Sequence, residues 1–182
     1  GPIAAELIRQ KVRELRQQQA AFASLTTLVE QAWKGLPDGP SKRVRTIPGI
    51  GLQTSAALVA KIVSIKRFAT PTALIGYFGV FPEEVDVSGT DRQGNPKQGT
   101  EIHMSRKGND LVRRLLYTAA QTAVQWNPPV KALFARLRAD NKEYNVCLGH
   151  CMAKLLRQVF ALWTQDCDFD PDFESRPKAA AE

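Results

Sequence analysis

Apolar residues recur at helical spacing through the first part of the chain. Between Ile3 and Lys34 there is neither glycine nor proline. One face of the resulting helix would collect residues spaced by heptads, namely Ile8, Leu15, Phe22 and Val29. This pattern predicts a long amphipathic connector helix over residues 3–36. Two arrangements would bury its apolar stripe: pairing with another helix as a short coiled coil, or packing on the chain's own domain.

The next part of the chain, residues 41–165, predicts a compact helical domain. Helical apolar spacing, interrupted by glycine and proline breaks, occurs in five segments: 52–64, 72–77, 110–125, 130–141 and 146–165. Residues 80–107 are rich in glycine and polar side chains and have no helical period. They predict a long irregular loop or a loose hairpin, a kind of segment that is usually functional inside a compact domain. The predicted fold is therefore mainly α.

The two ends of the chain differ from this body. Gly1-Pro2 is typical of the remnant of a cleaved expression tag, so we expect the natural protein to continue upstream. Six of the 18 acidic residues but only two of the 25 basic ones lie from Gln165 onward. We expect this acidic tail, residues 166–182, to be disordered, although it could shield a basic surface.

The charge balance indicates a polyanionic partner. The chain carries a net charge of +7, and the part before the acidic tail carries +11, because that part holds 23 basic and 12 acidic residues. A folded body this basic is typical of nucleic-acid-binding proteins. The alternative is a basic protein without such a partner.

Cysteine content and hydropathy suggest where the protein works. Three cysteines, an odd number, argue against a disulfide framework and favour a reducing compartment. No apolar run approaches the ~20 residues that span a bilayer, and no signal peptide is recognisable. We therefore expect a cytoplasmic protein without a membrane partner.

The sharpest local motif is the run Ile47-Pro48-Gly49-Ile50-Gly51 before an apolar helix. Gly49 and Gly51 permit a tight turn at positions closed to residues with a Cβ, and free amides at the following helix start favour a phosphate. The motif predicts a helix-hairpin-helix that holds the DNA backbone without reading its sequence. A helical corner without a ligand is the alternative. The basic residues expected to join this contact are Lys42, Arg43, Arg45 and Lys61.

Two serines in the glycine-rich segment are candidate nucleophiles. Ser88 precedes Gly89, and Ser105 precedes a basic stretch. Cations close to a loop serine would stabilise both its alkoxide and an attacked phosphate. The cations expected to do so, and to contact DNA, are Arg106, Lys107, Arg113 and Arg114. Most Ser-Gly pairs are simply turns, however, and Ser105 also suits a loop or capping position.

Two metal sites are weaker alternatives. A zinc site would use side chains at helical spacing together with a distant fourth ligand, namely Cys147, His150, Cys151 and His103. A metal-nuclease cluster would use four nearby acids, Glu83, Glu84, Asp86 and Asp91, although acids in a loop are usually solvated. We expect no metal and no other cofactor in this part of the protein.

The order and spacing of these motifs resemble the C-terminal domain of insertion-sequence transposases related to the Piv DNA invertase, a class that includes bridge-RNA-guided recombinases. The resemblance runs from about Arg45 to Trp163. It rests on the motifs Ile47–Gly51, Leu74–Val80, Ser88-Gly89, Ser105–Asn109, Arg113-Arg114 and Ala119-Ala120.

The resemblance implies a covalent mechanism. The catalytic serine would be Ser88, with Ser105 as the fallback. Its hydroxyl would attack a DNA phosphodiester and hold the broken end as a phosphoserine ester. Four acidic Mg²⁺ ligands would lie in an upstream RuvC-like domain, joined through a coiled coil that includes residues 3–36. This fragment would then bind DNA and self-associate through that helix, but it would not cut DNA.

Two questions stay open at this point. A non-catalytic helix-hairpin-helix module that binds DNA or acts as a scaffold is the alternative function. The resemblance also leaves open whether a guide RNA takes part.

Overall fold

The structure is a computed structural model that describes residues 1–90, 96–105 and 107–172, and for residues 84–90 and 96–103 it describes the backbone. The chain divides into two compact units, Gly1–Pro37 and Asp38–Glu182. The predicted sites Asp91 and Arg106 lie outside the described residues.

The first unit is one helix, α1, which spans Pro2–Gly35 and confirms the predicted long N-terminal helix. Proline suits the first turn of a helix because its missing amide would have no partner there. Intrahelical ion pairs join Glu6 to Arg9 and Arg13 on the polar surface. Eight large apolar side chains of α1 are between 41% and 78% exposed: Ile3, Leu7, Ile8, Val12, Leu15, Phe22, Leu25 and Leu28.

The second unit is mainly helical, as predicted. Its helices are α2 (Pro40–Arg43), α3 (Leu52–Ile62), α4 (Pro71–Tyr77), α5 (Asp110–Trp126), α6 (Pro128–Ala139) and α7 (Tyr144–Gln165). Short 3-10 turns follow α2 at Val44–Thr46 and α3 at Ile65–Arg67. No helix among the described residues is both long and apolar enough to cross a membrane.

Helix α7 forms the centre of the second unit and contacts α2, α4, α5 and α6. Its buried residues recur every three or four positions, which gives it an apolar face broad enough for several neighbours. They are Cys147, Leu148, Cys151, Met152, Leu155, Leu156, Val159, Leu162 and Trp163. The core is therefore built around α7, and α2, α4, α5 and α6 pack on it.

A turn at residues 47–50 lies directly against α5. Pro48 and Gly49 occupy its central positions, and Gly49 has a φ of 100°, as a type II turn requires. A Cβ at Gly49 would lie 2.7 Å from the carbonyl oxygen of Ala119 and 2.7 Å from the Cβ of Ala123. The turn backbone can approach α5 this closely because both sides of the contact lack bulk.

A buried asparagine holds the same turn from the other side. Asn127 is fully buried, and its amide nitrogen donates to the Pro48 carbonyl oxygen at 3.3 Å and to Gln158 Oε1 at 2.9 Å. Its side-chain oxygen accepts from the Val130 amide at the start of α6. One side chain thus caps α6 and ties the turn to α7.

Two segments of the predicted loop, residues 82–90 and 96–104, form a regular antiparallel strand pair rather than an irregular loop. Strand β1 (Pro82–Thr90) pairs antiparallel with β2 (Pro96–Met104), from Pro82 opposite Met104 at the base to Ser88 opposite Gln98 towards the far end. The predicted alternative of a hairpin is therefore the one the chain adopts, with more regular pairing than expected.

The sequence did not predict regular strands here because residues 96–101 are mostly polar or glycine. The alternation of apolar and polar residues that usually indicates a strand is confined to short stretches of this segment. The register pairs Glu84 with Ile102 and Val85 with Glu101.

The prediction of a disordered tail from Asp166 is wrong for its first seven residues. Asp166 ends α7 in the left-handed conformation, with a φ of 50°, and residues up to Asp172 fold back on the second unit. Cys167 and Phe169 pack against the core, and two acids pair with Arg43. Acidic composition suggested disorder, but these apolar and ionic contacts offset the loss of chain entropy.

Substituting Gly49 should destabilise the second unit. Gly49→Ala would force a side chain into α5 at an unfavourable φ, so we expect a loss of roughly 2–4 kcal/mol of unfolding free energy in denaturant titrations. Gly76→Ala is the control, because a Cβ at this helical glycine meets no atom within 4 Å. A Gly49→Ala variant as stable as Gly76→Ala would contradict the tight packing of the turn.

Candidate nucleic-acid interface

The two glycines of the predicted phosphate-binding turn have different roles. Gly49 requires the absence of a Cβ, as shown above. Gly51 has a φ of −81°, and a Cβ there would meet no atom within 4 Å, so the expectation that it is closed to other residues is wrong. Gly51 is instead the exposed N-cap of α3, without a side-chain capping bond. The first amides of α3 therefore lack a side-chain cap.

The four basic residues predicted around this turn differ in their partners. The Lys42 ammonium lies 2.9 Å from the Asp38 carboxylate. The Arg43 guanidinium lies 2.6 Å from Asp166 and 3.0 Å from Asp168. Arg45 and Lys61 are exposed, and neither forms an ion pair within the part of the chain that the structure describes. These two are the more accessible cations of the set.

Sequence reasoning missed a cationic and aromatic group beyond α3. Lys66 and Arg67 are exposed beside Lys61, and the Arg67 guanidinium carbon lies 5.6 Å from the Phe68 ring centroid and 5.7 Å from that of Tyr77. The stacking fixes Arg67 on the surface. In the sequence, the adjacent basic and aromatic residues Lys66-Arg67-Phe68 could have indicated this group. The contact between Arg67 and Tyr77, however, depends on the tertiary structure.

Ser105 closes the base of the hairpin. It is 1% exposed, and its amide donates to the Phe81 carbonyl oxygen at 2.9 Å. Its hydroxyl oxygen accepts from the Lys107 amide at 3.2 Å. The Lys107 ammonium in turn pairs with the Glu83 carboxylate across the base. Ser105 is therefore already engaged in the contacts that join β1 to β2.

The charged contact at the base depends on pH. Hydrogen bonds from Lys107 and then Ser105 lower the pKa of Glu83 below its ordinary value. A lowered pKa in the folded state means that the contact stabilises the fold at neutral pH. That stabilisation is lost as the pH falls through the lowered pKa and the carboxylate takes up a proton.

The chain segments that enter and leave the hairpin touch through their backbones. Gly79 and Gly108 both have positive φ, 65° and 125°. A Cβ on Gly79 would lie 1.8 Å from the Lys107 carbonyl oxygen, and one on Gly108 would lie 2.7 Å from the Phe78 carbonyl carbon. The hairpin base is therefore held by close main-chain packing that needs glycine on both sides.

Two further predicted cations belong to this base. The Arg113 guanidinium donates to the Ser105 carbonyl oxygen at 3.4 Å and to Asp110 at 2.8 Å. Arg114 binds the other Asp110 oxygen at 2.6 Å. The Lys107 amide and the Arg113 guanidinium thus contact Ser105, and Arg114 shares Asp110 with Arg113.

Ser88 lies away from these cations. Its backbone is in β1, six residues along the strand from Pro82. At ~3.3 Å per residue, its Cα is roughly 20 Å along the ribbon from the base. The irregular loop expected at Ser88 is therefore replaced by a regular strand, and the role of Ser88 as the nucleophile stays a prediction.

The zinc alternative is not supported by the described residues. Cys147 and Cys151 are buried in α7, whereas His150 is exposed, so the three do not share one face. Burial, and then the neighbouring Cys147, raise the pKa of the Cys151 thiol to about 11, which opposes the thiolate form that binds metal. No group of three metal-ligating side chains occurs in the described part of the chain.

Comparison with known proteins supports a transposase assignment. The model of the transposase IS116/IS110/IS902 family matches residues 41–135, a span that includes the turn, α3, the hairpin and α5. The chain is also 27% identical over 137 residues to the insertion element IS110 uncharacterized 43.6 kDa protein of Streptomyces coelicolor. That match covers 75% of this chain but 31% of the relative, so the chain spans about a third of that protein's length.

Proposed function

The chain belongs to the transposase IS116/IS110/IS902 family, and from that premise we propose that it binds DNA and supplies the serine nucleophile for strand exchange. The observation that carries the proposal is the extent of the family match, which contains both the turn at residues 47–50 and the hairpin with Ser88. The match covers 31% of the relative, and the rest of such a protein could include the metal-binding domain that this chemistry needs.

DNA would bind across the turn and the end of α3 as a helix-hairpin-helix contact. The turn is rigid against α5, and α3 begins beside it with amides that no side chain caps. Arg45, just before the turn, and Lys61, near the other end of α3, would each approach a phosphate, and the exposed Lys66 and Arg67 would add further cations. Such contacts follow the backbone and carry no base information. A guide RNA would offer the same phosphate chemistry to these cations.

Ser88 would be the nucleophile, with Ser105 as the fallback. The Ser88 hydroxyl oxygen would bond to the phosphorus of a DNA phosphodiester and displace one deoxyribose oxygen, which leaves as a hydroxyl. The phosphoserine ester would conserve the bond energy for rejoining. Ser105 is the fallback because it is buried and its hydroxyl is engaged at the hairpin base.

The remaining catalytic groups would come from outside this chain. The family resemblance implies Mg²⁺ held by acidic residues of an upstream domain. Lys107, Arg113 and Arg114 stay at the hairpin base with carboxylate partners. The hairpin would therefore present Ser88 outward to a site assembled with the upstream domain and DNA.

A non-catalytic DNA-binding scaffold is the second candidate function. It is favoured by the state of three predicted cations: Lys107, Arg113 and Arg114 already pair with carboxylates at the hairpin base. Both candidates predict DNA binding, and only the first predicts a covalent protein–DNA adduct.

We further propose that α1 mediates self-association as a coiled coil. Its heptad positions 8, 15 and 22 carry large apolar side chains that are at least half exposed. An exposed stripe of this length marks a helix-pairing surface.

DNA binding should be strong at low salt and should weaken steeply as salt is added. Releasing counterions from six to ten phosphates would lower the affinity about 10³- to 10⁵-fold between ~50 and ~200 mM salt. Arg45→Gln and Lys61→Gln should each weaken binding about threefold at intermediate salt, whereas Lys131→Gln, an exposed lysine of α6, should not. Fluorescence anisotropy with a labelled duplex measures this. Equal affinity at both salt concentrations would contradict the proposal.

Ser88→Ala in the full-length protein should abolish recombination and leave DNA binding nearly unchanged, because one hydroxyl adds little affinity. Ser105→Ala should reduce activity less, through a weakened hairpin base. A recombination assay with denaturing gels for the covalent adduct gives the readout. Should Ser88→Ala recombine while Ser105→Ala is inactive, the nucleophile is Ser105. Should both recombine, the serine mechanism is wrong for this protein.

Charges in the α1 stripe should separate associated copies. Leu15→Glu with Phe22→Glu places two carboxylates within the stripe, and sedimentation equilibrium should then show monomers where the unaltered chain is associated. Gln17→Glu with Ser24→Glu, on the opposite face, adds the same charge and should leave the mass unchanged. A monomeric mass for the unaltered chain would show that the stripe does not drive association.

A further inference from the structure

The second unit already holds anions on Arg43. Its Nε lies 2.6 Å from an Asp166 oxygen and its Nη1 lies 3.0 Å from an Asp168 oxygen. Next to this pair, the Phe169 amide donates to Thr46 Oγ1 at 2.9 Å. Three contacts therefore fasten the end of the described chain to the segment just before the phosphate-binding turn.

Arg43 lies close to the turn that we propose binds DNA, so its contact with the two aspartates bears on DNA binding. Arg43 ends α2, four residues before the turn at 47–50, and it is one of the cations expected to meet the DNA backbone. A guanidinium binds carboxylate and phosphate with the same forked geometry. Asp166 and Asp168 thus already bind the Nε and Nη1 groups with which Arg43 would donate to a phosphate oxygen.

The contact is of a kind that DNA can displace. The Arg43 side chain is 37% exposed and its two acidic partners are 54% and 63% exposed, and ion pairs at such positions are weak. A cleft of about 480 Å³ lies between the returning segment and α7, with Pro129, Arg157 and Phe169 among its lining residues. Cys167 and Phe169 are partly buried rather than enclosed in the core.

We propose that residues 166–169 act as an intramolecular substitute for a DNA phosphate at Arg43, so that DNA must displace Asp166 and Asp168 to engage this residue fully. This inference rests on the proposed DNA-binding function. The two aspartates compete with DNA for Arg43 and so weaken the binding of DNA. DNA sites that make enough other contacts to displace the aspartates are therefore favoured.

The test removes the competing charges while keeping the shape of the segment. Asp166→Asn with Asp168→Asn retains side-chain size, and asparagine tolerates the left-handed conformation at residue 166 as aspartate does. The matched control, Asp140→Asn with Glu143→Gln, removes two exposed acids between α6 and α7 and changes the net charge equally. Affinity for a labelled mixed-sequence duplex is measured over a salt series in the complete chain.

The Asp166→Asn/Asp168→Asn variant should bind about three- to tenfold more tightly than the control variant, the gain of one or two phosphate contacts. The slope of log affinity against log salt should steepen by about one. Adding Arg43→Gln should remove this gain, because the freed site is Arg43 itself. Circular dichroism melting verifies that each variant is folded.

The outcomes separate this inference from the function on which it depends. If the unaltered chain binds DNA but the aspartate variant matches the control, or keeps its gain without Arg43, the acids only anchor the tail and the inference is wrong. If neither the unaltered chain nor the variants bind at low salt, the DNA-binding function fails and the inference fails with it. A gain that depends on Arg43 supports both.

Discussion

The second unit depends on the contact between the turn at residues 47–50 and α5. Gly49 and two alanines, Ala119 and Ala123, bring main chain against main chain at a distance that a single added Cβ would destroy. Asn127 closes the same contact from α6 and connects it to α7. The cations before the turn and the first amides of α3 are therefore carried on a rigid support, which would reduce the entropy lost in the proposed binding of a phosphate.

A second close contact between backbones, again at glycines, holds the base of the hairpin. The backbones at Gly79 and Gly108 fasten its base, and Ser105 and Glu83 complete the join. Beyond the base, β1 and β2 form a two-stranded sheet, and an isolated strand pair has little to stabilise it by itself. The second unit thus combines a rigid turn region with a two-stranded ribbon, and the Ser88 backbone lies on the ribbon.

Ion pairs within the chain reduce the number of cations that are available to a partner. Lys42, Arg43, Lys107, Arg113 and Arg114 each face a carboxylate, so their positive charge is partly neutralised before any partner arrives. Arg45 and Lys61 are exposed and form no ion pair among the described residues. Net charge therefore indicates the class of partner, whereas local pairing determines which cations are available to it.

The sequence by itself determined the mainly helical fold, the long first helix, the approximate helix bounds and the family motifs, because these depend on local spacing, on glycine and proline, and on the order of letters. Only the tertiary structure decided which glycine is sterically required, since that depends on how near α5 comes to residue 49. It also decided that the acidic end is partly folded and that the backbone of Ser88 lies in a regular strand. Those outcomes follow from contacts between residues far apart in sequence, such as Arg43 with Asp166, and from the pairing of β1 with β2.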